Sequence, residues 1–420
     1  MLDLKRIREN PDDVRAALAR RGEQAAHGLD QLLDLDTRRR ELIPSLERLR
    51  AQQNEANDRI RASADEQQRA REIEAMRGVA TQAKALEREL AEVEDQLHQM
   101  LVPLPNLPDP TAADGPEDLL VREVGAIPER DYPARDHLEL AGELIDMQSA
   151  AKMSGSRFAY LKGELVLLEL ALVRYVLEKL GGHGFQPVMP PVLVRERALY
   201  GTGFLPDTEQ QIYRLPEDDL YLVGTSEVAL ASLHDDEIIE AGRLPLRYAG
   251  FSPCFRRESG AAGKDTRGIF RVHQFDKVEM FSFVDPDESS AEHERILAIE
   301  EEILSELQIP YRVVNIAVSD LGNSAAKKYD CEAWIPSQER YRELTSCSNT
   351  TDYQARRLNI RVRREKQTRI LHTLNGTAVA AGRTIIALLE NGQQPDGSVE
   401  LPEVLTHFGA PSTLPAAGNS

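Results

Sequence analysis

Between Asp30 and Met100, apolar residues return at alternating intervals of four and three. One series runs Leu32, Leu35, Leu42, Leu46, Leu49, Ala56 and Ile60, with Arg39 and Gln53 standing where two further seam residues fall. A second runs Met76, Val79, Ala83, Leu86, Leu90, Val93, Leu97 and Met100. The segment contains Gly78 and Pro44 and no other glycine or proline. This spacing predicts two long helices, each with a narrow apolar stripe, packed as a coiled coil. The polar stretch Ala62-Ser63-Ala64-Asp65-Glu66 separates them, with Ser63 or Asp65 as the N-cap of the second helix. Two helices of similar length on either side of a short turn make an antiparallel hairpin, roughly 50 Å long at 1.5 Å per residue. Arg39 and Gln53 thin its apolar seam.

The pattern changes after this hairpin. Residues 102–116, VPLPNLPDPTAADGP, are proline-rich and read as a linker or crossover. From His137 to about Leu405, short alternating strands, glycine turns and helices are mixed. From Leu165 onward the strands mostly connect through hairpin-like turns, with helices interspersed. The fold class expected is α+β: an N-terminal antiparallel coiled-coil arm, then an antiparallel β-sheet flanked by helices. The expected division is 1–105 for the arm, 106–136 for the crossover, 137–408 for the main domain and 409–420 for a small, polar, disordered tail.

Composition narrows the setting. A chain of 420 residues, 41% of them apolar, can hold two or more domains with a sizeable core. No run of 18 apolar residues is present, so no membrane span is expected. Met1-Leu2-Asp3-Leu4-Lys5-Arg6 lacks the apolar stretch of a secretion signal. Cys254, Cys331 and Cys347 are scattered and odd in number. That argues against a disulfide framework or a four-cysteine zinc site and suits a reducing cytoplasm. The net charge of −19 works against nucleic-acid binding, which draws on Lys and Arg. Its distribution is uneven: residues 37–71 carry 9 basic and 6 acidic side chains. A local basic surface is therefore permitted.

Candidate chemistry concentrates after residue 224. Phe255-Arg256-Arg257-Glu258 follows a predicted strand, Arg247–Cys254, and Arg256 and Glu258 share parity. A stretch with Gly260, Gly263, Lys264, Arg267 and Gly268 leads into a second predicted strand, Ile269–Phe283. On that strand Arg271, His273, Phe275 and Glu279 share one face. An arginine can grip a phosphate or carboxylate with two donors, and an aromatic ring can stack on a base. A hairpin with surface ion pairs would carry the same residue types.

Phe255 to Glu258, the loop, and Arg271 to Glu279 together resemble motif 2 of class II aminoacyl-tRNA synthetases, in the form found in bacterial-type seryl-tRNA synthetases. Gly184 to Val194 resembles motif 1, which in this family forms part of a dimer interface. Asn375 to Thr384 resembles motif 3. Thr225-Ser226-Glu227 and Glu343-Leu344-Thr345-Ser346 match the family's serine and ATP–metal segments, and Lys152 to Phe158 also fits. With the arm, the resemblance covers essentially residues 1–405.

The resemblance implies ATP-dependent activation of serine, transfer to tRNA(Ser) and by extension tRNA(Sec), a homodimer, and magnesium beside the phosphates. Arg256 would meet the serine carboxylate and the α-phosphate, with Arg257 beside it in the ATP site. Glu258 would read the adenine amino group, the backbone at Val272 would contact the base, and Phe275 would stack on it. Arg383, opening a predicted helix, would meet the γ-phosphate; an exposed, solvated arginine is the plainer reading. Glu343 and Ser346 would bind magnesium, flanked by Leu344 and Thr345 in the ATP site. Residues three apart face opposite sides of a regular strand, so a bend or bulge near Thr345 is needed if both are to reach one ion. Thr225 and Glu227 would receive the serine ammonium, with Ser226 beside them in the serine site, and Glu279 and Thr377 its hydroxyl. Thr225 could equally cap the helix that comes after it. Arg38, Arg39, Arg40, Arg48, Arg50, Arg59 and Arg61, with Arg69 and Arg71, would supply tRNA phosphate contacts; a scaffold coiled coil is the alternative for the arm. Two rival functions are a relative that charges a carrier protein and an inactive paralogue. The long arm counts against the first, and intact Arg256, Glu258, Glu343 and Arg383 against the second.

Overall fold

A computed structural model describes the chain except residues 63–64, 207–210, 260–264, 266 and 419–420. Ser63, Gly260, Gly263 and Lys264, each named from its sequence setting, lie outside the described residues. The chain divides into two compact units, Met1–Leu107 and Pro108–Ser420.

The first unit holds α1 (Leu4–Glu9), α2 (Pro11–Ala19), α3 (Leu29–Ala62) and α4 (Glu66–Leu101). Asp65 caps α4, its carboxylate accepting from the backbone N–H of Gln67 and Gln68. The seam follows the predicted period through Leu32, Leu42, Leu46 and Ala56, facing Ala83, Val93 and Leu97. Leu35, Leu49, Leu86 and Leu90 are only half-buried, and Asp36 is buried beside the first of them. The Arg8 guanidinium, 2.9 Å away, offsets the cost of burying that carboxylate. Arg39 bridges to Glu94 at 2.9 Å, which explains a charge at a seam position. Ile7, Val14 and Leu18 of α1 and α2 close the apolar base of the hairpin with Leu97, Leu101, Leu104 and Leu107.

The second unit is built on an eight-stranded sheet. Its strands are β1 (Leu119–Val124), β2 (Gln186–Val188), β3 (Leu246–Phe255), β4 (Gln274–Val284), β5 (Tyr311–Asn315), β6 (Lys327–Ile335), β7 (Arg340–Thr351) and β8 (His372–Ala380). The order across the sheet is β1-β5-β6-β7-β8-β4-β3-β2. All pairs are antiparallel except β2 with β3, so the expected antiparallel sheet gains one parallel edge. The helices that pack against this sheet include α5 (Glu164–Gly182), α6 (Glu227–Ala231), α7 (Ser289–Glu306), α8 (Ala381–Gly392) and a short helix at Tyr353–Arg357. Buried Leu165, Leu168, Leu172, Val176 and Leu180 recur at helical spacing on α5, so the segment from Leu165 opens on a helix and not on the predicted strands.

Three boundaries are corrected. Asn106 and Leu107 belong with the helical unit. The region assigned to the crossover, 106–136, contributes β1, an edge strand paired with β5. The tail is not disordered from residue 409: Thr413–Leu414 pairs with Val399–Glu400, and Leu414 is buried in the core.

Beneath the sheet, α7 places Glu300 wholly inside the protein. Its Oε2 accepts from the Thr345 hydroxyl at 3.0 Å. Its Oε1 has no partner among the described residues. Burial raises this carboxyl well above the usual range. A raised folded-state value means the folded chain binds more protons than the unfolded one. Stability therefore falls as pH rises above the unfolded carboxyl's range, near 4.3, toward the folded value. Glu300→Gln is expected to be more stable than the parent at pH 8, by about 1–3 kcal/mol, with a smaller gain at pH 5. Urea unfolding at the two pH values measures this; an equal change at both would assign the effect to packing.

Candidate functional site

A cavity of about 430 Å³ opens in the second unit, lined from β4, β6, β7, β8, α6 and the start of α8, with the segment just beyond β3. Arg256 stands one residue beyond β3. Its backbone N–H donates to the His273 carbonyl at 3.0 Å, and its Nε to the Gly224 carbonyl at 3.1 Å. The guanidinium lies 5.4 Å from the centre of the Phe275 ring. Glu258 adopts a left-handed backbone, φ +51°, and its carboxylate is held by Arg271 at 2.6 Å. Val272 and Phe275 line the same end of the cavity. The second predicted strand begins at Gln274, later than the Ile269 expected. Arg271 still reaches the cavity, whereas His273 packs against Phe158, ring centres 5.2 Å apart.

Arg383 sits in the first turn of α8, as its sequence setting predicts. It donates to the Glu343 carbonyl at 3.0 Å and lies over the Phe270 ring at 4.8 Å. Burial lowers its pKa, against the pull of the Glu343 carboxylate 3.6 Å away. Burial would raise the pKa of Glu343, but Arg383, Lys328, Arg256 and Arg271 outweigh it, and the net shift is downward. Glu343 is thus kept anionic.

The required bulge is present. Cys331 pairs with Thr345 and Glu332 with Glu343, which leaves Leu344 as the extra residue. Glu343, Leu344 and Ser346 consequently all line the cavity. Thr345 does not: its side chain turns under the sheet to Glu300.

At the other end, Thr225, Glu227, Glu279 and Thr377 converge with Asn375 and Lys277. Glu279 and Thr377 are cross-strand partners on β4 and β8. The Thr225 hydroxyl donates to Glu279 and accepts from Lys277 Nζ at 2.9 Å and from the Glu227 backbone N–H at 3.1 Å. It is therefore both a helix-end acceptor and a wall of the cavity. Glu227 Oε1 accepts from Asn375 and Gln354, each at 2.7 Å. Burial, then the nearby Glu279, pushes the Glu227 carboxyl up to about 7.

Two further predicted residues are not among those lining the cavity. Ser226 is buried against the Gly250 carbonyl, 3.3 Å away. Arg257 lies over Tyr213 at 5.8 Å, and its backbone N–H donates to the Gln211 carbonyl. Sequence reasoning missed Lys277, Asn375, Phe270 and Lys328. Lys277 carried a usable signal, since it shares parity with Phe275 and Glu279; Asn375 likewise shares parity with Thr377. Gln354 carried none, because its helix (Tyr353–Arg357) meets Glu227 only through tertiary packing.

On the hairpin, Arg38, Arg39, Arg50 and Arg59 cross-link α3 to α4 through Glu89, Glu94, Glu87 and Glu72. Arg48 bonds within its own helix, and Arg61 lies 3.9 Å from Asp58. Arg40 is exposed, with no partner among the described residues.

An antiparallel sheet bearing paired arginines, an aromatic platform, a bulged acidic strand and a helix-opening arginine defines a class II aminoacyl-tRNA synthetase core. Residues 211–392 match the model of the tRNA synthetase class II core domain (G, H, P, S and T), and residues 1–108 that of the seryl-tRNA synthetase N-terminal domain. The chain is 51% identical over 417 residues to the serine–tRNA ligase of Streptomyces coelicolor and 50% identical over 414 to that of Thermobifida fusca. Each alignment covers 97% of both chains. The crystal structure of seryl-tRNA synthetase from Pyrococcus horikoshii complexed with ATP superposes with a TM-score of 0.92 at 41% identity, covering 99% of this chain and all of that one. The chain belongs to the seryl-tRNA synthetase family.

Proposed function

We propose that the chain activates L-serine with ATP, releasing pyrophosphate, and transfers serine from the adenylate to the 3′ end of tRNA(Ser), and of tRNA(Sec). The serine carboxylate is already ionised at neutral pH, so its attack on the α-phosphate needs no general base. It needs alignment and positive charge where two anions meet. Arg256 supplies both. The observation that carries this reading is one cavity with Arg256 between a phosphate-type wall and a small polar end. The first holds Arg383, Glu343 and Ser346; the second holds Thr225, Glu227, Glu279 and Thr377.

In this reading, Phe275 and the Val272 backbone hold adenine, with Glu258 at its amino group. Glu227 takes the serine ammonium beside Thr225, and Glu279 with Thr377 takes the hydroxyl. Leu344 shapes the ATP wall, with the Thr345 side chain turned away from it. The Glu343 carboxylate and Ser346 hydroxyl offer the sparse protein ligand set that magnesium accepts beside phosphates. Magnesium would supply charge neutralisation there. Exposed Leu167 and Leu170 of α5, with Met189, support a homodimer. Among the described residues no helix is long and apolar enough to cross a membrane, and we place the enzyme in the cytoplasm.

Amino-acid-dependent ATP–pyrophosphate exchange across all twenty amino acids tests the reading. Serine is expected to be the best substrate; a better response to any other amino acid overturns the specificity, and no exchange at all favours an inactive paralogue. A pH prediction follows from Glu227. Its carboxylate must be ionised to bind an ammonium. With a value near 7 in the free enzyme, kcat/KM for serine is expected to fall about tenfold per unit below pH 7 and to level off above it. Glu227→Gln should lose that limb and about 10- to 100-fold in kcat/KM. A parent profile flat from pH 5.5 to 8 would remove Glu227 from ammonium binding.

A further inference from the structure

We propose that Lys277 is a specificity-determining positioning residue: an internal partner that holds the Glu279 carboxylate fixed and aimed, so that alanine is rejected. This rests on the assignment of Glu279 to the serine hydroxyl and goes one step behind it.

Lys277 projects from the cavity face of β4, two residues before Glu279. It is 6% exposed. Its Nζ lies 2.5 Å from Glu279 Oε2 and 2.9 Å from Thr225 Oγ1. The Thr225 hydroxyl donates its hydrogen to the same carboxylate oxygen. A three-membered ring of lysine, threonine and glutamate therefore fixes Oε2, and Oε1 is the oxygen left for a ligand.

Charge allocation gives the ring its purpose. This end of the cavity holds two carboxylates, Glu227 and Glu279, and two cations, Lys277 and Arg256. An amino-acid zwitterion adds one charge of each sign. Its carboxylate goes to Arg256 and its ammonium to Glu227. Lys277 then matches Glu279, and no charge is left over. Removing Lys277 leaves two buried carboxylates to compete for one ammonium. Glu279 is then free to swing and to draw the substrate amine out of register.

The consequence concerns selectivity. Serine and alanine differ only by the hydroxyl. A hydrophobic pocket separates such a pair weakly, whereas a buried acceptor that alanine leaves unpaired separates it strongly. That penalty depends on Glu279 staying a fixed acceptor. A carboxyl that is free to swing accepts the smaller substrate at little cost.

The test is pyrophosphate exchange with serine and with alanine, on the full-length protein, for Lys277→Met, Glu279→Gln and the double variant. Lys277→Met is expected to lower the serine:alanine ratio of kcat/KM by about 10- to 100-fold, with ATP affinity in equilibrium binding retained. Adding Glu279→Gln to Lys277→Met should lower the ratio little further, because the lysine acts through that carboxylate. Should Lys277→Met fold poorly, Lys277→Gln keeps a donor to Thr225 without the charge and is read the same way. A uniform loss toward both amino acids, with the ratio kept, overturns the proposal while leaving the serine reading intact. An unchanged ratio in Glu279→Gln overturns both.

Discussion

Arg256→Gln is expected to reduce serine-dependent pyrophosphate exchange by about 10³-fold, with kcat and kcat/KM falling together. Removing one preorganised donor at a developing anion typically costs about 10²- to 10³-fold, and Arg256 faces two anions at once. Its surroundings explain why no other arginine replaces it. The backbone N–H is tied to His273, the Nε to Gly224, and the plane is set over Phe275. The terminal nitrogens have no protein partner among the described residues. Arg271 is committed to Glu258 and Arg383 to the Glu343 carbonyl. Arg256→Lys keeps the charge but loses the planar two-donor fork, and should still lose about 10²-fold. The measurement is exchange at saturating and sub-saturating serine, with unfolding checked separately. A change in KM alone would reduce Arg256 to a ground-state anchor.

The sequence carried the hairpin almost whole, because a 4-3 apolar period has one structural solution over two long glycine-poor segments. It placed Leu35 in the seam and gave no sign that Asp36 is buried, since the partner that makes Asp36 buriable, Arg8, lies 28 residues away. The tail looked disordered because small polar residues say nothing of a two-residue pairing with Val399–Glu400. In the site, Phe275 and Glu279 line the cavity with the shared parity expected, whereas Arg256 lies one residue past its strand and owes its place to the hydrogen bonds with His273 and Gly224. The clash between Glu343 and Ser346 on a regular strand called for a bend or bulge, and Leu344 supplies it. What failed was adjacency taken as function. Ser226, Arg257 and Thr345 sit beside cavity residues, but their side chains turn elsewhere. Glu227 illustrates the opposite limit. Its charge state depends on Gln354, Asn375 and Glu279, which no local pattern assembles.

Deleting residues 37–95 across a short glycine–serine bridge is expected to leave pyrophosphate exchange within about twofold and to reduce tRNA(Ser) aminoacylation by more than about 10³-fold. The remaining ends of α3 and α4 keep Leu29, Leu32, Leu97 and Leu101 against Ile7, Val14 and Leu18, so the base of the helical unit retains most of its apolar contacts. The cavity draws all its lining residues from the second unit. Loss of charging is therefore expected to trace to tRNA and not to chemistry. The ion pairs sharpen what the hairpin recognises. Arg38, Arg39, Arg50 and Arg59 are spent partly on glutamates of the facing helix. Few net counterions would be displaced when a tRNA binds. The salt dependence should accordingly be shallow, with a slope of log K against log salt of magnitude about 3 or less, well under that of a strongly basic binder. Such a slope fits recognition by backbone shape, with arginines spaced along two long helices. Arg40, exposed and uncommitted, should weaken tRNA binding more on change to Ala than Arg39, whose charge serves Glu94. Equal loss of exchange and charging on deletion would instead make the hairpin a scaffold, and a steep salt slope would return the weight to bulk charge.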